Sequence, residues 1–119
     1  DGPQEATLTM SIDGTQSTIT ATGDGPVDAT FNAVKQLFAH EARLQLYQVH
    51  AVTEGTDAQA TVSVRMEEDG NIATGQSADT DTVVASARAY VNALNRLLVK
   101  REKSKPGADL KSVSYKDAG

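Results

Sequence analysis

Two Asp-Gly pairs, Asp13-Gly14 and Asp69-Gly70, each stand between two runs of alternating apolar residues. Asp-Gly is a strong signal for a two-residue hairpin turn, which needs positive φ, a conformation that glycine adopts without strain. Before the first pair, Ala6, Leu8, Met10 and Ile12 alternate with Thr7, Thr9 and Ser11. That period of two predicts a half-buried strand over residues 6–12. Residues 16–22 read as a Thr-rich returning strand, with Ile19 and Ala21 able to face a core. Before the second pair, Ala58, Ala60, Val62, Val64 and Met66 alternate in the same way, and residues 71–78 return as a short strand.

After each hairpin the period changes. From Pro26 to about Ala39, Val27, Phe31, Val34, Leu37 and Phe38 recur at steps of three and four. This is one stripe of an amphipathic helix. Asp79-Thr80-Asp81 supplies side-chain oxygens that cap a second, longer helix with the stripe Val83, Val84, Ala87, Tyr90, Val91, Leu94, Leu97 and Leu98. Between the two blocks, residues 43–52 alternate again, with Leu44, Leu46, Val49 and Ala51 set among Gln45, Tyr47, Gln48 and His50. The phase slips near Tyr47, which fits either a bulge or a strand used on both faces.

The order strand, Asp-Gly turn, strand, turn, helix therefore occurs twice, the second time with an extra strand in front. Thr22-Gly23 matches Thr74-Gly75, and Phe31-Asn32-Ala33-Val34 resembles Val91-Asn92-Ala93-Leu94. The fold class expected is α+β: two pseudo-symmetric βββα-type units, each an antiparallel sheet covered on one face by its helix. The first unit has no evident leading strand before Ala6. Each sheet is left with an apolar face or edge to cover, so dimerisation is expected. Residues 1–99 are expected to form one domain. Past Val99 the pattern stops, and Lys100, Arg101, Lys103 and Lys105 run into Pro106-Gly107. Residues 100–119 are expected to be a basic, flexible tail, with a short strand over 111–115 as the alternative.

Charge divides the same way. Residues 1–99 hold 5 Lys+Arg against 13 Asp+Glu, residues 100–119 hold 6 against 3, and the whole chain stands at −5. An acidic body with five aromatic residues (3 Tyr, 2 Phe) and no Trp argues against a nucleic-acid partner. No apolar run approaches the ~20 residues of a membrane span, and the polar opening Asp1-Gly2-Pro3-Gln4-Glu5 is unlike a signal peptide. The absence of cysteine fits a reducing cytoplasm.

Catalytic constellations are missing. His40 and His50 lack metal-ligand spacing to each other or to a carboxylate pair. Asp24, Asp28, Asp57, Asp79 and Asp81 fall at turns and caps, Glu67-Glu68-Asp69 reads as a solvated hairpin tip, and Tyr47 and Tyr90 read as core or interface residues. There is no nucleophile elbow, phosphate loop or dinucleotide fingerprint. What remains is Gly23-Asp24-Gly25-Pro26, where two glycines and a helix-starting proline leave bare N–H groups at a helix N-terminus, a setting that favours an anion such as a carboxylate. Local physics alone favours a plain strand-to-helix turn over an anion site. Small residues at Ala51, Ala58 and Ala60 leave room for the aliphatic part of a small amphoteric ligand.

Four motifs carry a resemblance: Thr22-Gly-Asp-Gly-Pro-Val-Asp-Ala-Thr-Phe-Asn-Ala33, Tyr47-x-x-His-Ala51, Gly55-Thr-Asp-Ala58, and Ser77-Ala-Asp-Thr-Asp-x-Val-x-Ala-Ser-x-x-Ala-Tyr-Val-Asn-Ala-Leu-Asn95. In this order and spacing they resemble the C-terminal regulatory domain of the 2-isopropylmalate synthase family, over about residues 6–98. The citramalate synthase regulatory domain, which answers to isoleucine, is a close relative. The resemblance implies a feedback-regulatory domain that dimerises and binds L-leucine near the dimer interface. It also implies a TIM-barrel catalytic domain, absent from this chain, that condenses acetyl-CoA with 2-oxoisovalerate. The divalent metal is expected only there, with no cofactor and no catalytic residue in this domain. Carried over by motif, the leucine-binding residues are Gly23, Gly25, Val27, Leu44, Tyr47, Ala51, Ala58, Ala60 and Ser77. Where the family often has Asn in Gly-Asn-Gly-Pro this chain has Asp24, whose carboxylate is expected to point to solvent. A dimerisation module with no ligand is the remaining alternative.

Overall fold

The computed structural model describes residues 3–12, 14–37, 42–51, 58–102 and 108–117. The element order is β1 (Gln4–Ile12), β2 (Thr15–Gly23), α1 (Pro26–Leu37), β3 (Arg43–Ala51), β4 (Ala60–Glu68), β5 (Asn71–Asp79), α2 (Thr82–Glu102) and β6 (Ala108–Asp117). The strands form two three-stranded antiparallel sheets, ordered β2-β1-β6 and β3-β4-β5. The chain divides into unit 1, residues 1–40 with 107–119, and unit 2, residues 41–106. The expected α+β class, two antiparallel sheets each with one helix, is what forms.

In unit 1 the alternation of β1 places Ala6, Leu8 and Met10 on one face, all fully buried. Their β2 partners on that face are Ala21, Ile19 and Ser17. The other face is hydroxyl-rich, and Thr7–Thr20 and Thr9–Thr18 bond across the strands at 2.8 Å. α1 lies over β1 and β2 and buries Ala29, Thr30, Phe31, Ala33 and Val34. Burying Leu8 and Met10 fully is worth roughly 1.5–3 kcal/mol each, which fixes the register, because a one-residue slip would turn both to solvent.

Unit 2 repeats this arrangement. Val62, Val64 and Met66 of β4 are fully buried beneath α2, which lies over β4 and β5. Asp69 (φ 52°) and Gly70 (φ 84°) make the tight turn that the Asp-Gly pair predicts. Glu67 ties this corner together: one carboxylate oxygen accepts from Gly70 N at 2.8 Å and the other from Arg43 at 2.6 Å. The Arg43 bond and then the Gly70 N–H hold the Glu67 carboxyl below its usual range. The expected solvated acidic tip is thus corrected on two points: Glu67 is bonded, and Glu68 is buried at the end of β4.

One constant offset, the step from Gly14 to Gly70, superposes the two units in sequence. It carries the pair Ala6–Ala21 onto Val62–Ser77, Met10 onto Met66, Ala29 onto Ala85, and Thr30 onto Ser86. Thr30 and Ser86 even make the same kind of hydrogen bond, each hydroxyl donating to the carbonyl four residues earlier, Pro26 O at 2.7 Å and Thr82 O at 2.8 Å. Two of the matches read from sequence do not share this offset. Gly23 ends β2 opposite Gln4, whereas Gly75 sits in mid-strand opposite Val64. Asn32 and Asn92 do the same work at different depths, donating to Thr22 O at 2.9 Å and Gln76 O at 3.0 Å.

The C-terminal end departs from expectation. Instead of a loose tail, residues 108–117 form β6, antiparallel to β1 on the edge away from β2, so the alternative strand over 111–115 is the one that forms, and it is longer. Leu110, Val113 and Tyr115 stand opposite Met10, Leu8 and Ala6, so an apolar set on β6 continues the buried face of β1. Unit 1 is therefore ββα in chain order, with its third strand brought from the far end of the sequence. Phe38, Ala39, His40, Asp13 and residues 52–57, to which helix, turn and strand-end expectations were attached, lie outside the described residues.

Two glycines of unit 2, Gly70 and Gly75, predict losses of different size. A Cβ at Gly70 meets nothing, so Gly70→Ala costs only its left-handed backbone, about 1–2 kcal/mol. A Cβ at Gly75 runs into the backbone of α2 at Ala89 O and Ala93 N. Gly75→Ala is expected to cost about 3 kcal/mol or more, since backbone cannot step aside as a side chain does. Urea midpoints of the two variants measure the difference.

Candidate functional site

The stretch between β2 and α1 is built by three residue types. Gly23 is forced: a Cβ there would lie 2.5 Å from Ala29 N and 2.6 Å from the Asp28 carboxylate, so only glycine lets the strand end so close to the helix start. Asp28 folds back, its Oδ2 accepting from Asp24 N at 2.9 Å, and this closes the turn. The Asp24 side chain is exposed, as expected. Gly25 is the residue before the helix: its carbonyl accepts the first helical bond, from Ala29 N at 2.9 Å. Pro26 follows and has no N–H to satisfy. The Val27 and Asp28 N–H groups then have no acceptor among the described residues.

The equivalent place in unit 2 is different. Asp81 holds the position of Gly25, and its carbonyl likewise accepts from Ala85 N at 3.0 Å. Its Oδ1 also accepts from Val83 N at 2.8 Å and Val84 N at 3.3 Å, and Asp79 Oδ1 accepts from Asp81 N at 2.9 Å. The start of α2 is thus neutralised by its own cap, as the Asp-Thr-Asp pattern predicts. The two helices begin with the same backbone bond. Gly25 has no side chain to cap with, so among the described residues α1 keeps two N–H donors without an acceptor, while the Asp28 carboxylate in its first turn complements the dipole.

The predicted residues of unit 2 lie on β3, β4, β5 and the approach to β4. In β3 the register shifts between Leu44 and Leu46, leaving Gln45 without a partner. The phase slip seen in the sequence is therefore a bulge. It puts Leu44, Tyr47 and Val49 on one face, opposite Met66, Val64 and Val62, and Ser77 joins that face through its pairing with Val62. Ala51 pairs with Ala60, the first residue of β4, while Ala58 is exposed just ahead of that strand. Gly23, Gly25 and Val27 belong to unit 1, and the other six belong to unit 2.

Sequence reasoning missed Ser86, which is fully buried in α2. Its hydroxyl proton goes to Thr82 O, so the 2.7 Å contact with Tyr47 has the phenol donating to Ser86 Oγ. The signal was a hydroxyl inside an otherwise apolar stripe. Tyr90 is a core residue, as expected, and burial raises its phenol well above the ordinary value, so it stays protonated at neutral pH. His50 is exposed on β3. Among the described residues no three His, Cys, Asp or Glu side chains gather closely enough to hold a metal, and no helix is long and apolar enough to cross a membrane.

The sequence profile of the LeuA allosteric (dimerisation) domain matches residues 1–98. The chain belongs to that family. Two relatives, both 2-isopropylmalate synthases, come from Caulobacter sp. (strain K31), 65% identical over 92% of this chain, and Caulobacter vibrioides (strain NA1000 / CB15N), 66% identical over 92%. A third, from Bradyrhizobium sp. (strain BTAi1 / ATCC BAA-1182), is a 2-isopropylmalate synthase 58% identical over 86% of the chain. The match covers 21%, 21% and 20% of these proteins, so this LeuA-type chain spans about a fifth of the length of the curated relatives it matches.

Tyr47 and Asp81 give direct checks on this geometry in the LeuA-type domain. Tyr47→Phe removes one buried hydroxyl bond and is expected to lower stability by about 1 kcal/mol, with little further loss when Ser86→Ala is added. Asp81→Ala uncaps α2 and is expected to cost about 1 kcal/mol. Chemical denaturation reads both.

Proposed function

We propose that this domain is the feedback-regulatory part of a 2-isopropylmalate synthase, binding L-leucine and acting as a homodimer on a catalytic barrel carried elsewhere in the longer protein. One observation carries the ligand reading: the Val27 and Asp28 N–H groups at the start of α1 have no acceptor among the described residues, while the equivalent donors of α2 are closed by Asp81. A carboxylate on the open end would make charge-assisted bonds and complement the helix dipole. Gly25 leaves that end unobstructed, with no atom within 4 Å of where its Cβ would stand. The family resemblance alone assigns the rest of the ligand contacts to Gly23, Leu44, Tyr47, Ala51, Ala58, Ala60 and Ser77. The divalent metal of the condensation reaction is assigned to the barrel.

Support for the homodimer is the family's dimerisation description together with uncovered apolar side chains. Leu44 and Val49 on β3 and Tyr115 on β6 are each 44% exposed, all on edge strands of their sheets. Burying them against a second copy removes apolar area from water.

Leucine at a hundred times its Kd is expected to stabilise the domain by about 2.7 kcal/mol and to raise Tm on the order of 10 °C. Isoleucine acting in its place identifies the citramalate synthase type of regulation, and no response to any branched-chain amino acid removes the ligand reading. Gly25→Asp is the matched variant. Its side chain has room to cap α1 as Asp81 caps α2, so the fold is expected to hold while the leucine response disappears. An unchanged response in Gly25→Asp excludes the start of α1 from the site. Val49→Glu is expected to shift the dimer toward monomer in light scattering.

A further inference from the structure

β6 copies β3 in more than position. In unit 2, Leu44 stands opposite Met66, Gln45 is skipped, and pairing resumes with Leu46 opposite Arg65. In unit 1, Leu110 stands opposite Met10, Lys111 is skipped, and pairing resumes with Ser112 opposite Thr9. Met10 and Thr9 correspond to Met66 and Arg65 under the offset that relates the two units, so the bulge falls at the same place in both sheets. The residues after it correspond as well: Tyr47 and Val113 lie opposite Val64 and Leu8, and Val49 and Tyr115 lie opposite Val62 and Ala6. Both strands carry the pattern Leu-x-x-apolar-x-apolar, which a bulged strand needs to keep three apolar side chains on one face. In unit 2 this strand directly precedes β4. In unit 1 it arrives after all the other elements have been laid down.

We propose that residues 108–117 form an exchangeable complementing strand, and that the edge of β1 is an acceptor site for one bulged antiparallel strand of this pattern, filled here by the chain's own C-terminal segment. Without it, β1 is an open edge with unpaired backbone groups and a half-covered row at Met10, Leu8 and Ala6. Added strands of this kind take affinity from main-chain bonds and specificity from alternate side chains, here Leu110, Val113 and Tyr115. Among the described side chains, Lys116 reaches Glu5 across the strands at 3.5 Å, and the Lys111–Asp109 pair at 2.8 Å stays within β6. β6 is also on an outer edge, paired on one side only. Release of this single edge strand is the opening proposed for unit 1.

Native-state hydrogen exchange on the full chain tests this. The β6 amides, and the β1 amides directed at β6, are expected to exchange as one group, faster than the β4 amides of unit 2. Val113→Asp is expected to speed that group by about tenfold or more while leaving β4 unchanged. Excess synthetic peptide of residues 108–117 is expected to restore protection in the variant, and the peptide carrying Val113→Asp is expected not to. A control, Ser114→Asp on the opposite face, is expected to leave exchange as it was. If Val113→Asp unfolds unit 1 altogether, rescue by the peptide still reads the acceptor site. Exchange of β6 in step with β4, or a peptide that fails to restore protection, overturns the proposal.

Discussion

The distance between a helix backbone and the sheet beneath it fixes most of this structure. In unit 2 that distance is set by Gly75, which lies under Ala89 and Ala93 with no room for a single extra carbon. In unit 1 Gly23 does the same against Asp28 and Ala29 at the start of the helix. The alanines at these contacts are fully buried: Ala29 in α1, and Ala89 and Ala93 in α2. Close approach then lets polar side chains clip helix to strand, as Asn32 does to Thr22 O, and Asn92 and Arg96 do to Gln76 O and Thr74 O. A helix held at this range by backbone contact has little freedom to slide. Its N-terminus is consequently fixed in space, which a site made of backbone N–H groups requires.

Pseudo-symmetry then separates scaffold from chemistry. The two units share turn, register, helix start and even the buried hydroxyl at Thr30 and Ser86. Where they differ, at Gly25 against Asp81, the difference is electrostatic. Asp81 closes the N–H donors of α2 with its own carboxylate, and Gly25 leaves those of α1, whose first turn carries Asp28, to be satisfied from outside. A repeat thereby acts as an internal control: the unit whose helix is self-capped is built for stability, and the other keeps an unmet demand at the same point of the fold.

Much of this was legible in the sequence, for reasons that can be traced to residues. Ala6, Leu8 and Met10 alternate because one face of β1 is completely dry, and all three are fully buried. Asp79-Thr80-Asp81 announced the start of α2 because capping needs those oxygens, and Asp81 makes both bonds. β6 was legible only as a short alternative strand over residues 111–115, because its bulge cut the pattern short. Skipping Lys111 spaces Leu110, Val113 and Tyr115 by three and then two, which breaks the period-two signal on which strand reading depends. The same break at Gln45 was visible only as a slip of phase. Laid side by side, residues 44–49 and 110–115 would have disclosed the missing strand. The Thr22-Gly23 match to Thr74-Gly75 misled because identical dipeptides answered different needs, a strand end in one unit and a close helix crossing in the other. For the candidate site, the Gly-rich turn was readable. Ser86 as the partner of Tyr47 was not, since nothing local in a helix reports what a strand elsewhere in the chain will donate to it.

The order of elements along the chain gives the two units different dependencies. Unit 2 is contiguous, so its sheet and helix assemble from near neighbours in sequence. Unit 1 is closed by a pairing between strands at opposite ends of the chain. Loop-closure cost grows only slowly with length, so such a pairing is tolerable in stability, but it leans on one edge strand. The α1 N-terminus belongs to the unit with that dependency. If an anion there prefers the completed sheet, then by linkage it strengthens β6 pairing by as much as that pairing strengthens its binding. The reciprocity requires no direct contact between ligand and β6. It needs only that the helix resting on β1 and β2 be held by the sheet that β6 completes, and the buried row of Met10, Leu8 and Ala6 beneath α1 provides that connection.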